Sequence, residues 1–325
     1  KKYERRPKNR KKMPRDADLS KSRPKSGKSA SQNTRASTGQ RQGQRPGQRQ
    51  GQRQGHQAPS SLPEIASKAR SGHLLYGYHA VMAALENPQR KAFHLFLSPQ
   101  AANQLDEAGQ IGASISANLP RTILDRRQLD QMLSRTSSAN TPQADAAVHQ
   151  GFILHCAPLE VSYLEEWLLH HQGQQGPARL LILDQVTDPR NIGAIMRSAL
   201  ALGASAILMT DRHAPEESGA LAKTAAGALE KLATIRVTNL ARALEALGGA
   251  GFVLVGLEAG GDMGLETFAN EQRLGLVLGS EGAGMRRLTR EGCDHLAAIE
   301  ISADSESLNV SVAAAIALYA TQFKS

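Results

Sequence analysis

The sequence has few of the features that mark secreted, membrane or metal-binding proteins. It contains two cysteines among 325 residues, Cys156 and Cys293, which are too few for a disulfide framework or a cysteine-based zinc site. No apolar run approaches the roughly 18 to 20 residues that a membrane-spanning helix needs, and the polar N-terminus lacks the apolar core of a signal peptide. We therefore expect a soluble, cytoplasmic protein that makes no membrane contact.

Motifs of the commonest nucleotide and metal enzymes are also missing. The dinucleotide-binding pattern G-x-G-x-x-G has no complete copy, since Gly282 and Gly284 are followed by Arg287 at the third glycine position. The phosphate-binding loop, HExxH and GxSxG do not occur, and the histidines lack partners at ligand spacing. These absences argue against NAD-dependent chemistry, nucleotide hydrolysis and metal catalysis, and we predict no metal site.

Acidic and large aliphatic residues are scarce at the start of the chain. Residues 1–70 carry 20 Lys and Arg against 4 Asp and Glu, a net charge of +16, whereas the remainder carries 19 against 26, a net charge of −7. A four-residue Gly-Gln-Arg repeat over residues 39–55 spaces its arginines evenly. Such a segment buries too little apolar surface to fold, and spaced guanidinium groups suit a phosphate polymer. We predict that residues 1–72 form a disordered arm that contacts RNA, the alternative being a solubilising tail.

Residues 73–158 show the pattern of a small α/β domain. Residues 74–87 contain a glycine turn followed by apolar positions at helical spacing. Short apolar runs then predict strands at residues 92–98, 121–125 and 151–156. Residues 159–178 combine an amphipathic segment, which holds the only tryptophan, with the sequence GQQGPA. We interpret residues 159–178 as a linker.

The remaining residues, 179–325, alternate regularly between short apolar runs and helical patterns. The apolar runs lie at residues 180–183, 206–209, 233–237, 252–257, 274–279 and 296–301. Buried parallel strands joined by crossover helices have this pattern. The fold class is therefore α/β, with ligands expected at the carboxyl ends of the strands.

Two polar segments that follow strands stand out. The first, LDQVTDPRNIGAIMRSA, predicts a helix that opens near Asn191 and carries Arg197 among apolar residues. The second, LGSEGAGM, places Glu281 among three glycines, which let a ligand approach the backbone closely. Taken by itself, the first segment could be explained by an exposed arginine. The second, taken by itself, could be explained by a tight glycine turn.

A third polar segment precedes the final apolar helix. Ser307 is predicted as the helix N-cap, leaving Asn309 and Ser311 as polar residues in the first turn of a buried helix. A capped core helix explains Ser307, but a buried Asn309 needs hydrogen-bond partners for both its amide groups. We therefore include Asn309 among the candidate site residues.

The motifs DPRNIGAIMRSA, LGSEGAGMRRLT and SLNVSVAAAIALY resemble those of the SpoU/TrmH family of RNA ribose 2′-O-methyltransferases, within the SPOUT class. The three occur in the order and spacing of the family, over about 145 residues. LLYGYHAV resembles the start of the L30e-like substrate-binding domain that precedes the catalytic domain in the 23S rRNA guanosine branch. The third motif departs from the family at Glu300, a common proline position, and at Ala303, a usual glycine position.

The resemblance implies a trefoil-knotted α/β domain that binds S-adenosylmethionine and works as a homodimer. By position, Gly279, Ile299 and Leu308 would contact the cofactor through their backbones. A second set of residues falls on the family's catalytic and motif positions; these are Asn191, Arg197, Glu281, Ser307 and Asn309.

Arg197 looks like the family residue that activates the ribose hydroxyl. Because the pKa of an arginine exceeds about 12, we favour phosphate binding and polarisation of the hydroxyl by Arg197 over proton abstraction. The expected function is methylation of a ribose 2′-hydroxyl, most simply on a guanosine of 23S rRNA. Alternatives are the same reaction on tRNA, or a catalytically silent RNA-binding factor in ribosome assembly.

Overall fold

The structure of the protein is a computed structural model. It describes residues 72–107, 119–136, 148–171, 176–212, 214–302, 304–305 and 307–322. The predicted arm lies outside the described residues except for its last position, and Ala303 of the third motif lies outside them as well. The described chain forms two lobes, each built on its own β-sheet.

The small lobe, residues 73–156, contains a four-stranded mixed sheet in the order β1-β4-β2-β3. The strands are β1 (His73–Tyr76), β2 (Ala92–Leu97), β3 (Arg121–Ile123) and β4 (Phe152–Cys156). The helices are α1 (Tyr78–Glu86), α2 (Pro99–Glu107) and α3 (Arg126–Thr136). β4 pairs antiparallel with β1 and β2, whereas β2 and β3 are parallel. All five residues of β4 are buried, as expected for a central strand.

The large lobe, residues 162–320, contains an eight-stranded sheet in which every neighbouring pair is parallel. The order is β10-β12-β9-β11-β6-β7-β8-β5. The strands are β5 (Ser162–Tyr163), β6 (Ala178–Leu183), β7 (Ala206–Thr210), β8 (Ala233–Val237), β9 (Val253–Leu257), β10 (Met263–Gly264), β11 (Arg273–Leu278) and β12 (His295–Ala298). The helices are α4 (Leu164–His171), α5 (Pro189–Ala201), α6 (Gly219–Ala225), α7 (Leu240–Gly249), α8 (Arg287–Gly292) and α9 (Val310–Ala320).

Both faces of the large sheet are covered, which explains why its strands are apolar without alternation. Along β6, Leu181 and Leu183 point into one core, which they share with α5, α6 and α9. Leu180 and Ile182 point into the opposite core, which includes Trp167 of α4 and residues of α7. The first core continues into the small lobe. The prediction of an α/β fold with a parallel sheet is therefore confirmed.

Three short strands escaped the sequence analysis. β1 and β5 lie at sheet edges, and β10 has two residues. β5 and α4 fall within residues 159–178, which we predicted as a linker, yet β5 pairs with β8 and Trp167 of α4 is buried in a core. Residues 162–171 therefore belong to the large lobe, and the linker interpretation is corrected to that extent.

The start of α9 differs from the prediction as well. Asn309, not Ser307, is the N-cap, and its side chain accepts a hydrogen bond from the Ser311 backbone N–H. Asn309 is exposed, not buried. The helix is also less enclosed than its composition indicates, because Val312 and Tyr319 face outward.

Candidate active site at the carboxyl edge of the large sheet

Four loops meet at one edge of the large sheet. They follow β12, β9, β11 and β6, which are consecutive neighbours in the sheet and all parallel, so their carboxyl ends share that edge. The chain order reverses here, since β6 lies between β11 and β7. Such switch points form ligand-binding crevices in open α/β sheets.

The loop after β11 is a tight, glycine-lined turn. Ser280 and Gly284 exchange two backbone hydrogen bonds, of 3.1 and 2.9 Å. Gly282 and Gly284 have φ values of 83° and 66°, which glycine adopts without strain. At Gly279, a Cβ atom would lie 2.1 Å from the carbonyl carbon of Gly284. Glycine is thus required at position 279, a predicted cofactor residue, because a side chain there would collide with the Gly284 backbone.

A buried carboxylate holds the end of this turn. Asp184, at the end of β6, is fully buried and accepts hydrogen bonds from the Arg286 backbone N–H (2.9 Å) and Nε (2.7 Å). Its own N–H donates to the Leu278 carbonyl, at 2.8 Å. The sequence analysis missed both residues. An acid directly after the buried run LLIL is the signal that could have revealed Asp184.

Three of the predicted catalytic residues come together in one hydrogen-bonded cluster. Glu281 Oε1 accepts from Asn191 Nδ2 (3.1 Å), Asn309 Nδ2 (2.6 Å) and the Val310 backbone N–H (3.3 Å). Asn309 Nδ2 also donates to Asn191 Oδ1, at 3.1 Å. We call this group the Asn-Glu-Asn cluster. It links the start of α5, the glycine turn and the start of α9, which are separated by up to 118 residues in sequence.

Local sequence explains why these side chains are held where they are. Asp188 caps α5 by accepting from the Arg190 N–H, with Pro189 at the first helical position. Asn309 caps α9 through Oδ1, which accepts from the backbone N–H and Oγ of Ser311 at 2.9 and 2.6 Å. Cap geometry orients the Asn309 amide so that its N–H groups face the other helix and the turn.

The other two predicted catalytic residues lie outside the cluster. Arg197 is exposed on α5, and neither a hydrogen bond nor an ion pair joins it to the described residues. Ser307 is exposed in the loop before α9, where its carbonyl accepts from Ser305 Oγ at 3.4 Å. The guanidinium group of Arg197 is therefore accessible to a ligand that binds at α5.

The remaining predicted cofactor residues line the same edge. Ile299 follows β12, is half-buried and packs against the first core, as does Leu257 at the end of β9. Leu308 is half-buried beside the cap of α9. Leu257 was not among the predicted residues, because an aliphatic side chain that ends a strand carries no polar signal.

Thiol and metal chemistry find no support in the described residues. Burial raises the pKa of the Cys156 thiol to about 12, and burial also raises that of Cys293 to about 12. Neither is a thiolate at neutral pH. In the described part of the chain, no group of three or more His, Cys, Asp or Glu side chains is placed to hold a metal ion. In the same residues, no helix has the length and apolar character needed to span a membrane.

Comparison with known proteins identifies the family. The profile of the SpoU rRNA methylase family matches residues 178–319. The 23S rRNA (guanosine-2′-O-)-methyltransferase RlmB of Escherichia coli is 38% identical over 247 residues, which are 76% of this chain and 96% of that protein. This chain belongs to the SpoU rRNA methylase family. The motif resemblance is thereby confirmed.

Further relatives of this SpoU family member agree. RlmB of Pseudomonas aeruginosa is 36% identical over 250 residues, 75% of this chain and 94% of that protein. An uncharacterized tRNA/rRNA methyltransferase of Synechocystis is 36% identical over 246 residues, 76% of this chain and 61% of its own length. The crystal structure of the SpoU methyltransferase AviRb from Streptomyces viridochromogenes matches with a TM-score of 0.60 at 20% identity, over 77% of this chain and 88% of that one. The last comparison bears on the fold alone.

Proposed function

We propose that this protein transfers a methyl group from S-adenosylmethionine to a ribose 2′-hydroxyl of RNA, on a guanosine of 23S rRNA. The Asn-Glu-Asn cluster carries the proposal, because it joins all three family motifs through direct hydrogen bonds. The similarity to the two RlmB enzymes, over nearly their whole length, supports the substrate class. A ribosomal RNA substrate implies a cytoplasmic protein.

The carboxyl edge of the large sheet suits S-adenosylmethionine. A purine needs an apolar wall and backbone hydrogen-bonding groups, and Leu257, Ile299 and Leu308 supply half-buried aliphatic surface there. The turn between Gly279 and Gly284 brings backbone close to the same crevice. When bound, the cofactor supplies a methyl group on a positively charged sulfur, which makes the methyl carbon electrophilic.

The protein's own residues orient the nucleophile. Arg197 is exposed on α5 and suits a substrate phosphate, while its N–H groups polarise the ribose hydroxyl. The cluster of Asn191, Glu281 and Asn309 holds α5, the glycine turn and α9 in one geometry, as an in-line transfer requires. Ser307 belongs to the loop that leads into this cluster.

RNA recognition is assigned to the residues that precede the catalytic domain. We infer that residues 73–158 form an L30e-like domain that grips folded RNA and that residues 179–325 form a trefoil-knotted catalytic domain. The arm over residues 1–72 adds affinity through its net positive charge. Deletion of residues 1–70 should weaken RNA binding and flatten its dependence on salt, and an unchanged slope would refute the role of the arm.

The outer face of α9 supports a homodimer. Val312, Ile316 and Tyr319 repeat at helical spacing and are 46%, 37% and 71% exposed. We propose that a second copy covers this face. Light scattering should then give twice the 34.8 kDa chain mass, and Ile316→Glu should give the monomer mass. A monomeric wild type would contradict the proposal.

One experiment tests the reaction and its substrate together. The protein is incubated with tritiated S-adenosylmethionine and, separately, with unmodified 23S rRNA and tRNA, and the label is mapped by nuclease digestion. We expect label as a ribose methyl at one guanosine of 23S rRNA, and none with Arg197→Ala. Label in tRNA alone would replace the substrate, whereas RNA binding without label would indicate a silent assembly factor.

A further inference from the structure

The two lobes meet across α6, where the contact is apolar and very close. At Gly219 a Cβ atom would lie 2.2 Å from the ring of Tyr76, and at Gly227 it would lie 3.0 Å from the Ala83 side chain. The buried core runs through this contact from Leu75 to Leu221. Apolar burial favours contact between the lobes but is not directional.

A polar contact of a different kind also joins the two lobes. Arg90 of the small lobe has a side chain with no solvent exposure. Its Nη2 and Nε bind the two carboxylate oxygens of Glu230, at 2.5 and 3.2 Å, and its Nη1 lies 2.5 Å from Glu217 Oε1. Both glutamates belong to the large lobe. We call these three residues the Arg90 clamp.

Neighbouring groups hold the clamp in a single arrangement. Asn87 Nδ2 donates to Glu230 Oε2 at 2.8 Å, and the second oxygen of Glu217 accepts from the Leu159 backbone N–H at 3.0 Å. Arg90 Nη1 also donates to the Ala157 carbonyl, at 2.7 Å. Burial disfavours the charged guanidinium, but the two carboxylates outweigh it, and the pKa of Arg90 is raised. The Arg90 guanidinium therefore stays charged and is bound on all three of its nitrogens.

A cavity beside the clamp shows that the lobes are not sealed by apolar packing alone. It has a volume of about 560 Å³ and is lined by residues of both lobes, among them His73, Asn87, Met209, Glu217 and Glu230. The junction thus combines close apolar packing at α6 with polar contacts beside a cavity.

Buried ion pairs add little net stability, because desolvation of the charges offsets their attraction. Their geometry is nevertheless demanding, and a guanidinium that binds one carboxylate with two nitrogens accepts few orientations. The observed arrangement of Arg90 fits control of orientation better than general stabilisation.

We propose that Arg90 is a positioning residue that fixes the small lobe at one angle to the large lobe, so that RNA held by the small lobe presents a single nucleotide to the carboxyl-edge site. The inference rests on the proposed function, since it takes the small lobe as the RNA-gripping domain. Arg90 is a positioning residue and not a catalytic one, because it acts only through the orientation of the lobe that carries it.

The test measures where the methyl groups go, not only how many are transferred. Arg90→Lys keeps the charge but cannot bind Glu230 through two nitrogens, and Glu217→Gln weakens the other half of the clamp. Arg242→Lys, at an exposed position on α7, is the matched control. Each protein methylates unmodified 23S rRNA with tritiated S-adenosylmethionine, and all labelled nucleotides are mapped.

A misplacement of about 1 Å costs roughly 100-fold in rate, so we expect label at the main nucleotide to fall by about tenfold to 100-fold in Arg90→Lys, with new label at neighbouring nucleotides. S-adenosylmethionine affinity should be unchanged. A purely structural role would lower the amount of active protein and leave the distribution of label as in the wild type.

An unchanged distribution in folded Arg90→Lys and Glu217→Gln would overturn the inference. If Arg90→Lys does not fold, Glu217→Gln decides alone, because it keeps the shape and half of the clamp. Failure of the proposed function is distinguishable, since the wild type itself would then leave 23S rRNA unlabelled.

Discussion

The two lobes bury polar groups in different ways. In the large lobe the strands are mainly apolar, although Arg179 of β6 and Thr210 of β7 are buried, and the polar residues of the site lie just beyond the strand ends. In the small lobe three histidines are buried in or beside the sheet, namely His94, His149 and His155. The large lobe thus carries its chemistry at an edge, whereas the interior of the small lobe is itself sensitive to protonation.

The environments of these histidines explain that sensitivity. His94 Nε2 lies 2.8 Å from Thr122 Oγ1, and His149 Nδ1 accepts from the Gly151 N–H at 2.9 Å. His155 Nε2 is buried without a hydrogen-bond partner among the described residues. Burial lowers the pKa of all three imidazoles. The folded small lobe therefore favours neutral histidines.

The largest effect is expected from the buried carboxylate of the large lobe. Asp184→Ala should lower the free energy of unfolding by about 3 kcal/mol, because it leaves the Arg286 N–H and guanidinium without their acceptor. Urea denaturation measures this, with exposed Glu245→Ala on α7 as the control. A loss no larger than that of the control would show that Asp184 does not hold the glycine turn.

The second prediction separates capping from catalysis at Asn309. Asn309→Ser keeps a good N-cap for α9 but removes the two N–H bonds to Glu281 and Asn191. The rate of methyl transfer should fall about 100-fold, with little change in stability. Asn239→Ser, the same substitution at the N-cap of α7, is the matched control and should retain full activity. Equal rates for the two variants would remove Asn309 from the site.

The third prediction concerns the turn that approaches itself. Gly279→Ala places a Cβ atom against the Gly284 backbone, so the turn must move. We expect about tenfold weaker S-adenosylmethionine binding, a loss of about 1.4 kcal/mol, measured by calorimetry. At Gly249, on α7, a Cβ meets nothing within 4 Å, so Gly249→Ala should bind normally. Unchanged affinity in Gly279→Ala would move the cofactor site elsewhere.

The smallest effect is the pH dependence of the small lobe. A histidine whose folded pKa lies below the ordinary 6.5 contributes stability that is present above that value and is lost as pH falls through the lowered pKa. Urea unfolding should therefore show lower stability at acidic than at neutral pH. His155→Phe, which cannot titrate, should reduce this slope, and an identical slope would exclude His155 as a contributor.

Sequence patterns predicted most of the large lobe because its signals are local. Continuous apolar runs indicate buried parallel strands, and all six predicted runs of the large lobe are strands of its sheet. Asp188 and Pro189 mark the start of α5 in the same way. The two-residue strands β5 and β10 were not predictable, because so short a strand is defined by its neighbour and not by its own residues.

The candidate site, too, was predictable from the sequence only in part. Its motif residues Asn191, Glu281 and Asn309 were recognisable in the sequence, but their direct contact depends on three loops meeting at one edge. The N-cap assignment to Ser307 was wrong, because several polar residues precede α9 and the contact with Glu281 favours Asn309 as the cap. Capping motifs specify a region of a helix start more firmly than a single residue.

The sequence by itself determined the family, the alternation of strands and helices in the large lobe, and the residues able to do chemistry, because each of these is written in local composition and spacing. Tertiary structure alone decided that Asp184 anchors the glycine turn, that Arg90 joins the lobes, and that the histidines of the small lobe are buried. The physical reason is that an ion pair or a buried imidazole is defined by residues brought together from distant parts of the chain.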